Sequence, residues 1–296
     1  MHNRPFFLNL RMRFIQAILL CLFLLMCSDV SFGQRQYPFV KNSNMEIYNL
    51  PQELIEISGI IDVDSVFFAI QDESGSIYQL ASDDFSIMNR VKFAWPGDYE
   101  ALVERQGGIW VVDSRGILFD LTKIENGFHV NNILQLPDSK YEFEGVWKDP
   151  GIDNLFLISR KSQKHKGAPE ERYIWMFDPI EKKFQKSFRI PVEEIWQRLL
   201  DFSNIQTWRY TVNINLPFSD LTRDLNLEHW LILCSKPAAV IVLNREGNLL
   251  DVIELDNKTL PQPEAICFDH NGNLIIASEG QLGPARIVKF KKSNKE

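Results

Sequence analysis

Residues 230–243 read WLILCSKPAAVIVL, and residues 273–280 and 285–290 read NLIIASEG and ARIVKF. Each is an apolar run, a polar turn and a second apolar run. The same plan recurs upstream in VFFAIQDESGSIYQL (66–80), in IWVVDSRGILFDL (109–121), and in NLFLISR (154–160) resumed at YIWMFD (173–178). Val, Ile, Phe, Trp and Tyr dominate the runs and turn residues bound them, so they read as β-strands. A short strand opened by a small or acidic residue precedes each unit: Ser58-Gly59-Ile60, Glu100-Ala101-Leu102, Glu144-Gly145-Val146, Asp220-Leu221 and Glu264-Ala265-Ile266. These anchors lie 42, 44, 76 and 44 residues apart, the long step being one 44-residue period plus 32 inserted residues. A period of this length built from short strands is that of propeller blades, each a small antiparallel sheet. Runs such as Trp110-Val111-Val112 are continuous rather than alternating, as expected of strands covered on both faces by neighbouring blades.

The fold expected is therefore all-β, a five-bladed β-propeller. The fifth unit ends at Phe290 with only three strands, while Met45 to Leu50 form a strand without a blade. Pairing the two removes two open edges at once. A sixth blade is the alternative, hidden between Arg160 and Phe218, but that interval holds little β run. Residues 161–217 instead contain an insertion in which Ile195, Leu199 and Phe202 recur at helical spacing from Val192, with Glu193, Glu194, Gln197, Arg198 and Asp201 largely opposite. This predicts an amphipathic helix covering the propeller edge.

The chain has 296 residues, 45% hydrophobic and 24% charged, an ordinary globular composition. Its net charge of -7 argues against broad binding to a nucleic-acid backbone. Arg4, Arg11 and Arg13 precede the apolar run Ala17–Met26, and Ser31-Phe32-Gly33 follow. Residues 1–33 thus read as a secretory signal ahead of one propeller domain at 34–296, with periplasm, cell surface or medium as the destination. An uncleaved membrane anchor is the alternative. Removing the segment takes away three arginines and Asp29, leaving a net charge of -9. Cys21 and Cys27 leave with it. Cys234 and Cys267 remain, as buried thiols on strands or as a disulfide in an oxidising compartment.

In a propeller the innermost strands line a central channel, so equal repeat positions form a ring at one mouth. Here the ring is Ser58, Glu100, Glu144, Asp220 and Glu264, with Ser219 a competing choice in the fourth unit. Carboxylates crowded on an axis raise each other's pKa and call for a counter-charge. Ca²⁺, which takes six to eight oxygens in flexible geometry, suits the ring better than zinc, because neither His nor Cys joins it. The competing expectation is that these acids accept backbone amide hydrogen bonds from adjoining blades, or are partly protonated. The turns after the second strands carry Asp72-Glu73, Asp113-Ser114-Arg115, Arg160-Lys161, Ser235-Lys236 and Glu279. Their Glu73, Arg115, Arg160, Lys236 and Glu279 form a rim for a small anionic ligand or a protein partner, or simply a solvated border of mixed charge.

Gly97-Asp98-Tyr99-Glu100, Phe143-Glu144-Gly145 and Leu260-Pro261-Gln262-Pro263-Glu264-Ala265, followed by Asp269 to Gly272 and Ala277-Ser278-Glu279, resemble the SdiA-regulated, or YjiK-like, family of exported propellers. The resemblance implies a five-bladed fold related to NHL-repeat proteins, a channel calcium on Glu100, Glu144 and Glu264 with Asp220 and Ser58 as weaker ligands, and no established activity. It extends distantly to β-propeller phytases and calcium-dependent lactonases. Ala101 and Ala265 stand where the family usually has glycine. Two functions follow: a non-catalytic, calcium-stabilised binding module, or a calcium-dependent phosphoesterase or lactonase with Glu73, Asp113 or Glu279 as general base. His129, His165, His229 and His270 are scattered, and no HExxH, Gly-x-Ser-x-Gly, P-loop or dinucleotide motif occurs.

Overall fold

A computed structural model describes residues 44–125, 127–137, 141–160, 171–200, 216–281 and 283–292. Residues 1–33, expected above to be a secretory signal, lie outside them, as do His165, Asp201 and Phe202. Twenty strands form five four-stranded antiparallel sheets. Blade one holds β2 (Ile57–Val63), β3 (Val66–Gln71), β4 (Ser76–Leu80) and β5 (Ile87–Lys92). Blade two holds β6 (Tyr99–Arg105), β7 (Gly108–Asp113), β8 (Ile117–Ile124) and β9 (Gly127–Gln135). Blade three holds β10 (Phe143–Lys148), β11 (Leu155–Ser159), β12 (Arg172–Asp178) and β13 (Lys183–Ile190). Blade four holds β14 (Phe218–Asp224), β15 (His229–Cys234), β16 (Ala239–Leu243) and β17 (Leu249–Glu254).

Blade five is built from both ends of the chain. Strands β18 (Pro263–Phe268), β19 (Leu274–Ser278) and β20 (Arg286–Phe290) are completed by β1 (Met45–Asn49), which pairs antiparallel with β20 from Met45 opposite Phe290 to Asn49 opposite Arg286. Closure covers the edge of β20, and β1 takes the outermost place that β5, β9, β13 and β17 hold in the other blades. There are five blades, not six.

Innermost strands β2, β6, β10, β14 and β18 touch one another in a closed circle. Each interface between blades carries its own apolar cluster, for example Phe68, Ile70, Ile77, Leu102 and Val111 between blades one and two. Inner strands such as β7, β16 and β19 are buried along their whole length, whereas outer strands such as β5 and β9 alternate or face solvent. Burial on both faces is why the inner runs need no polar residues.

The amphipathic helix is present as α1 (Val192–Leu199). Its Ile195 and Leu199 are buried with Trp230, Ile241 and Val252, while Glu193, Glu194, Gln197 and Arg198 are exposed. It seals the interface of blades three and four against β17. Cys234 and Cys267 are free buried thiols; burial pushes Cys234 up to about 12, so it is inert rather than reactive.

Candidate functional site

Every innermost strand carries one β-bulge at the same place, opposite the end of its partner strand. The shifts fall between Ile57 and Gly59, Tyr99 and Ala101, Phe143 and Gly145, Phe218 and Asp220, and Pro263 and Ala265. The extra residues are Ser58, Glu100, Glu144, Ser219 and Glu264. A bulge re-aims the side chain of its unpaired residue, so five equivalent residues define one mouth of the channel. In blade four that residue is Ser219; Asp220 takes the place held by Gly59, Ala101, Gly145 and Ala265 elsewhere.

That one-residue difference gives Asp220 another task. Its carboxylate accepts the amides of Leu221 and Ile266 at 2.8 Å each, and that of Val146 as well. It clasps blades three, four and five through their backbones. Gly145 makes room: a Cβ there would lie 2.7 Å from the Asp220 Cα. The two bulge serines also tie blades together, Ser58 Oγ donating to Tyr99 O at 2.6 Å and Ser219 Oγ to Pro263 O at 2.9 Å.

A second ring is fixed by five equivalent backbone hydrogen bonds. The amides of Asp72, Ser114, Arg160, Ser235 and Glu279 donate to the carbonyls of Glu56, Asp98, Glu142, Pro217 and Gln262, each two residues before a bulge. Of the expected rim, Arg160 and Glu279 belong to this ring. Glu73, Arg115 and Lys236 lie one residue further along their turns and are exposed. Arg115 is also engaged, its Nε and Nη2 donating to the Asp113 carboxylate at 2.7 Å. This occupies Asp113 and leaves it unsuited to act as a base.

The three bulge glutamates share one electrostatic environment. Glu144 and Glu264 are 3% and 6% exposed and Glu100 is half-buried. Burial, then Glu144, Asp98 and Glu264, push Glu100 to about 10. Burial, then Glu279, raise Glu264 to about 8. Glu144 is raised by burial to about 7, held back by Arg160, whose Nη1 lies 3.2 Å from its Oε2. Arg160 acts on Glu100 and Glu264 too, so one guanidinium serves glutamates of three blades. Burial and neighbouring acids, Asp72 foremost, raise Glu279 to about 7, and Gln262 Nε2 donates to its Oε2 at 2.6 Å.

Sequence reasoning passed over Asp98 as an electrostatic partner and Arg160 as the built-in counter-charge. Both were legible only through the register, since Asp98 stands two residues before a bulge and Arg160 at the equivalent turn position. As donors, the glutamate oxygens are of the hard type calcium prefers, and Glu264 Oε1 is buried without a hydrogen-bond partner. Among the described residues, however, no three His, Cys, Asp or Glu side chains form a set that could hold a metal ion by themselves. What suits a cation here is limited to the hard oxygen donors and the unpartnered Glu264 Oε1; the three glutamates as placed do not make up a ligand set.

Comparison with known proteins agrees with the fold. The chain is similar to Myxococcus xanthus glutaminyl cyclase at 10% identity, covering 84% of this chain and 94% of that one with a TM-score of 0.59. It is similar to a luciferin-regenerating enzyme at 11% identity, 84% and 96% coverage and a TM-score of 0.51. Among curated proteins none matches the sequence. The SdiA-regulated family profile matches residues 177–291, from the end of β12 to just past β20, and includes Ser219, Asp220, Glu264 and Glu279. The SdiA-regulated family is thus what residues 177–291 are similar to, within a chain that folds as a five-bladed β-propeller.

Proposed function

We propose that the protein is an exported binding module whose acidic channel mouth takes Ca²⁺ and, over it, a small anionic ligand or a protein partner. The observation that carries this reading is the convergence of Glu100, Glu144 and Glu264 on one cation, Arg160, with Glu264 Oε1 buried and unpartnered. Two buried carboxyls and the half-buried Glu100, once ionised, exceed what one guanidinium neutralises, so a divalent ion is a favourable addition. Glu100, Glu144 and Glu264 would hold it, with water completing the shell; Asp220 and Ser58 are engaged in backbone hydrogen bonds. When bound, calcium would supply positive charge to the mouth, and a coordination position open to an anionic oxygen. Arg160 and the neighbouring Lys236 would add charge for the same anion. The basic-flanked apolar segment at residues 1–33 supports export.

The reading is tested by thermal unfolding of the wild type and Glu264→Gln in millimolar calcium and in chelator. Binding at about a hundred times Kd stabilises by about 2.7 kcal/mol, which for a chain of this size raises Tm by about 5–10 °C. That rise is expected in the wild type and not in the variant. No rise, or an equal rise in both, would overturn the reading.

One observation favours a hydrolase instead. Glu279, poised at about 7 beside Glu264, has the protonation behaviour of a general base at neutral pH. Calcium-dependent turnover of phosphoester or lactone substrates, lost in Glu279→Gln with calcium stabilisation intact, would establish it.

A further inference from the structure

The opposite mouth of the channel is also a built cavity. The C-terminal ends of all five innermost strands surround a volume of about 710 Å³. The residues four positions beyond the bulges are Asp62, Glu104, Lys148, Arg223 and Phe268, and all five line it. Going round the propeller, two acids are followed by two cations and then an aromatic ring. Arg105 and Asp153 also line the cavity, Arg105 being neutralised by Asp120 at 2.5 Å, so the ring of equivalent positions keeps an acidic side and a basic side and matches a ligand carrying both signs.

The state of each group supports this. Arg223 is held in place from behind, its guanidinium 5.6 Å from the Trp147 ring centre and 5.3 Å from that of Trp230. Its Nε is buried with no hydrogen-bond partner, and its side chain pairs with Asp149 only at 3.7 Å. A buried donor left unmade is costly, and an incoming carboxylate removes that cost. Lys148 Nζ donates to Asp149 O at 3.2 Å and makes a 3.5 Å contact with Asp153, whose own side chain is 65% exposed and easily displaced. On the acidic side Asp62 is committed to the Ser65 amide and to His270. Glu104 is exposed and has no ion pair or hydrogen bond among the described residues.

We infer that this lower mouth binds a small zwitterion of the amino-acid class, its carboxylate taken by Arg223 and Lys148 and its ammonium by Glu104. The site is independent of the acidic ring and of calcium, so it stands or falls separately from the function proposed above.

The full chain in chelator is titrated with each of the common free amino acids by thermal shift and calorimetry. The best binder is then compared with its own carboxamide and N-acetyl derivatives. Saturable binding of at least one amino acid is expected, with both derivatives weakened about tenfold or more, the loss of one charge-assisted hydrogen bond. Glu104→Gln, at an exposed position, should weaken the parent amino acid similarly and leave the N-acetyl derivative unaffected. Arg223→Gln should do the converse with the carboxamide; should it unfold, Lys148→Gln provides the same comparison. No amino acid binding at ten millimolar, equal binding of either derivative, or unchanged affinity in Glu104→Gln would overturn the inference.

Discussion

Replacing Glu100 by glutamine should stabilise the protein, and by an amount that grows with pH. In the chelated protein the Glu100 carboxyl is pushed from 4.5 to about 10 by burial and by Glu144, Asp98 and Glu264. The folded state therefore holds a proton that the unfolded chain releases above its own pKa. A carboxyl with a raised folded pKa contributes its full share of stability below pH 4.5 and loses it progressively up to pH 10. At about 1.4 kcal/mol per pH unit, the loss reaches about 3 kcal/mol at pH 7 and stays under about 1 kcal/mol at pH 5. Glutamine keeps the shape and stays neutral throughout, so Glu100→Gln escapes this loss. Urea unfolding of both proteins in chelator at pH 5 and pH 7 measures it: near-equal midpoints at pH 5, and a gain of about 3 kcal/mol for the variant at pH 7. Calcium should reverse the order, because the wild type gains a ligand-bound state that the variant holds poorly. A variant no more stable than wild type at pH 7, or a gain independent of pH, would refute the reasoning.

Arg160→Met removes the cation that restrains Glu144, Glu264 and Glu100, so the same proteins in chelator should show little loss at pH 5 and a loss of about 2 kcal/mol at pH 8, read from urea midpoints. Asp220→Ala leaves the amides of Val146, Leu221 and Ile266 without their acceptor and should cost about 3–5 kcal/mol by the same assay. Gly145→Ala drives a Cβ to 2.7 Å from the Asp220 Cα and 2.9 Å from Ile158 Cγ2; a cost of about 3 kcal/mol is expected in thermal unfolding. Deleting residues 44–50 removes β1 and exposes the edge of β20, and should convert a cooperative melt into aggregation on heating, followed by light scattering.

The architecture was legible because each blade is written in short β runs at a nearly constant period, and an incomplete last unit pointed to a strand at the far end of the chain. Glu100, Glu144 and Glu264 were legible as a ring for the same reason. The fourth member was not: Ser219 and Asp220 are adjacent, and a bulge decides by one residue which faces the channel and which is buried between blades. The serine tethers and the Asp220 clasp join side chains to the backbone of neighbouring blades, and such partners leave no mark in side-chain spacing. Arg160 was visible as a rim cation, yet its contact with Glu144 and its electrostatic reach to Glu264 and Glu100 depend on where the end of β11 sits at the channel mouth. The lower mouth escaped notice because its meaning lies in the offset of four from the bulges, which only the register supplies.

Calorimetric titration of calcium into the full chain at pH 7, repeated in buffers of different ionisation enthalpy, tests the central claim most directly. Carboxyls at about 10, 8 and 7 must shed protons to become ligands. One calcium per chain should therefore bind with release of about two protons, and Glu264→Gln should abolish or sharply weaken the binding. Absence of binding, binding without proton release, or an unchanged titration in Glu264→Gln would contradict the assignment of this mouth as a cation site.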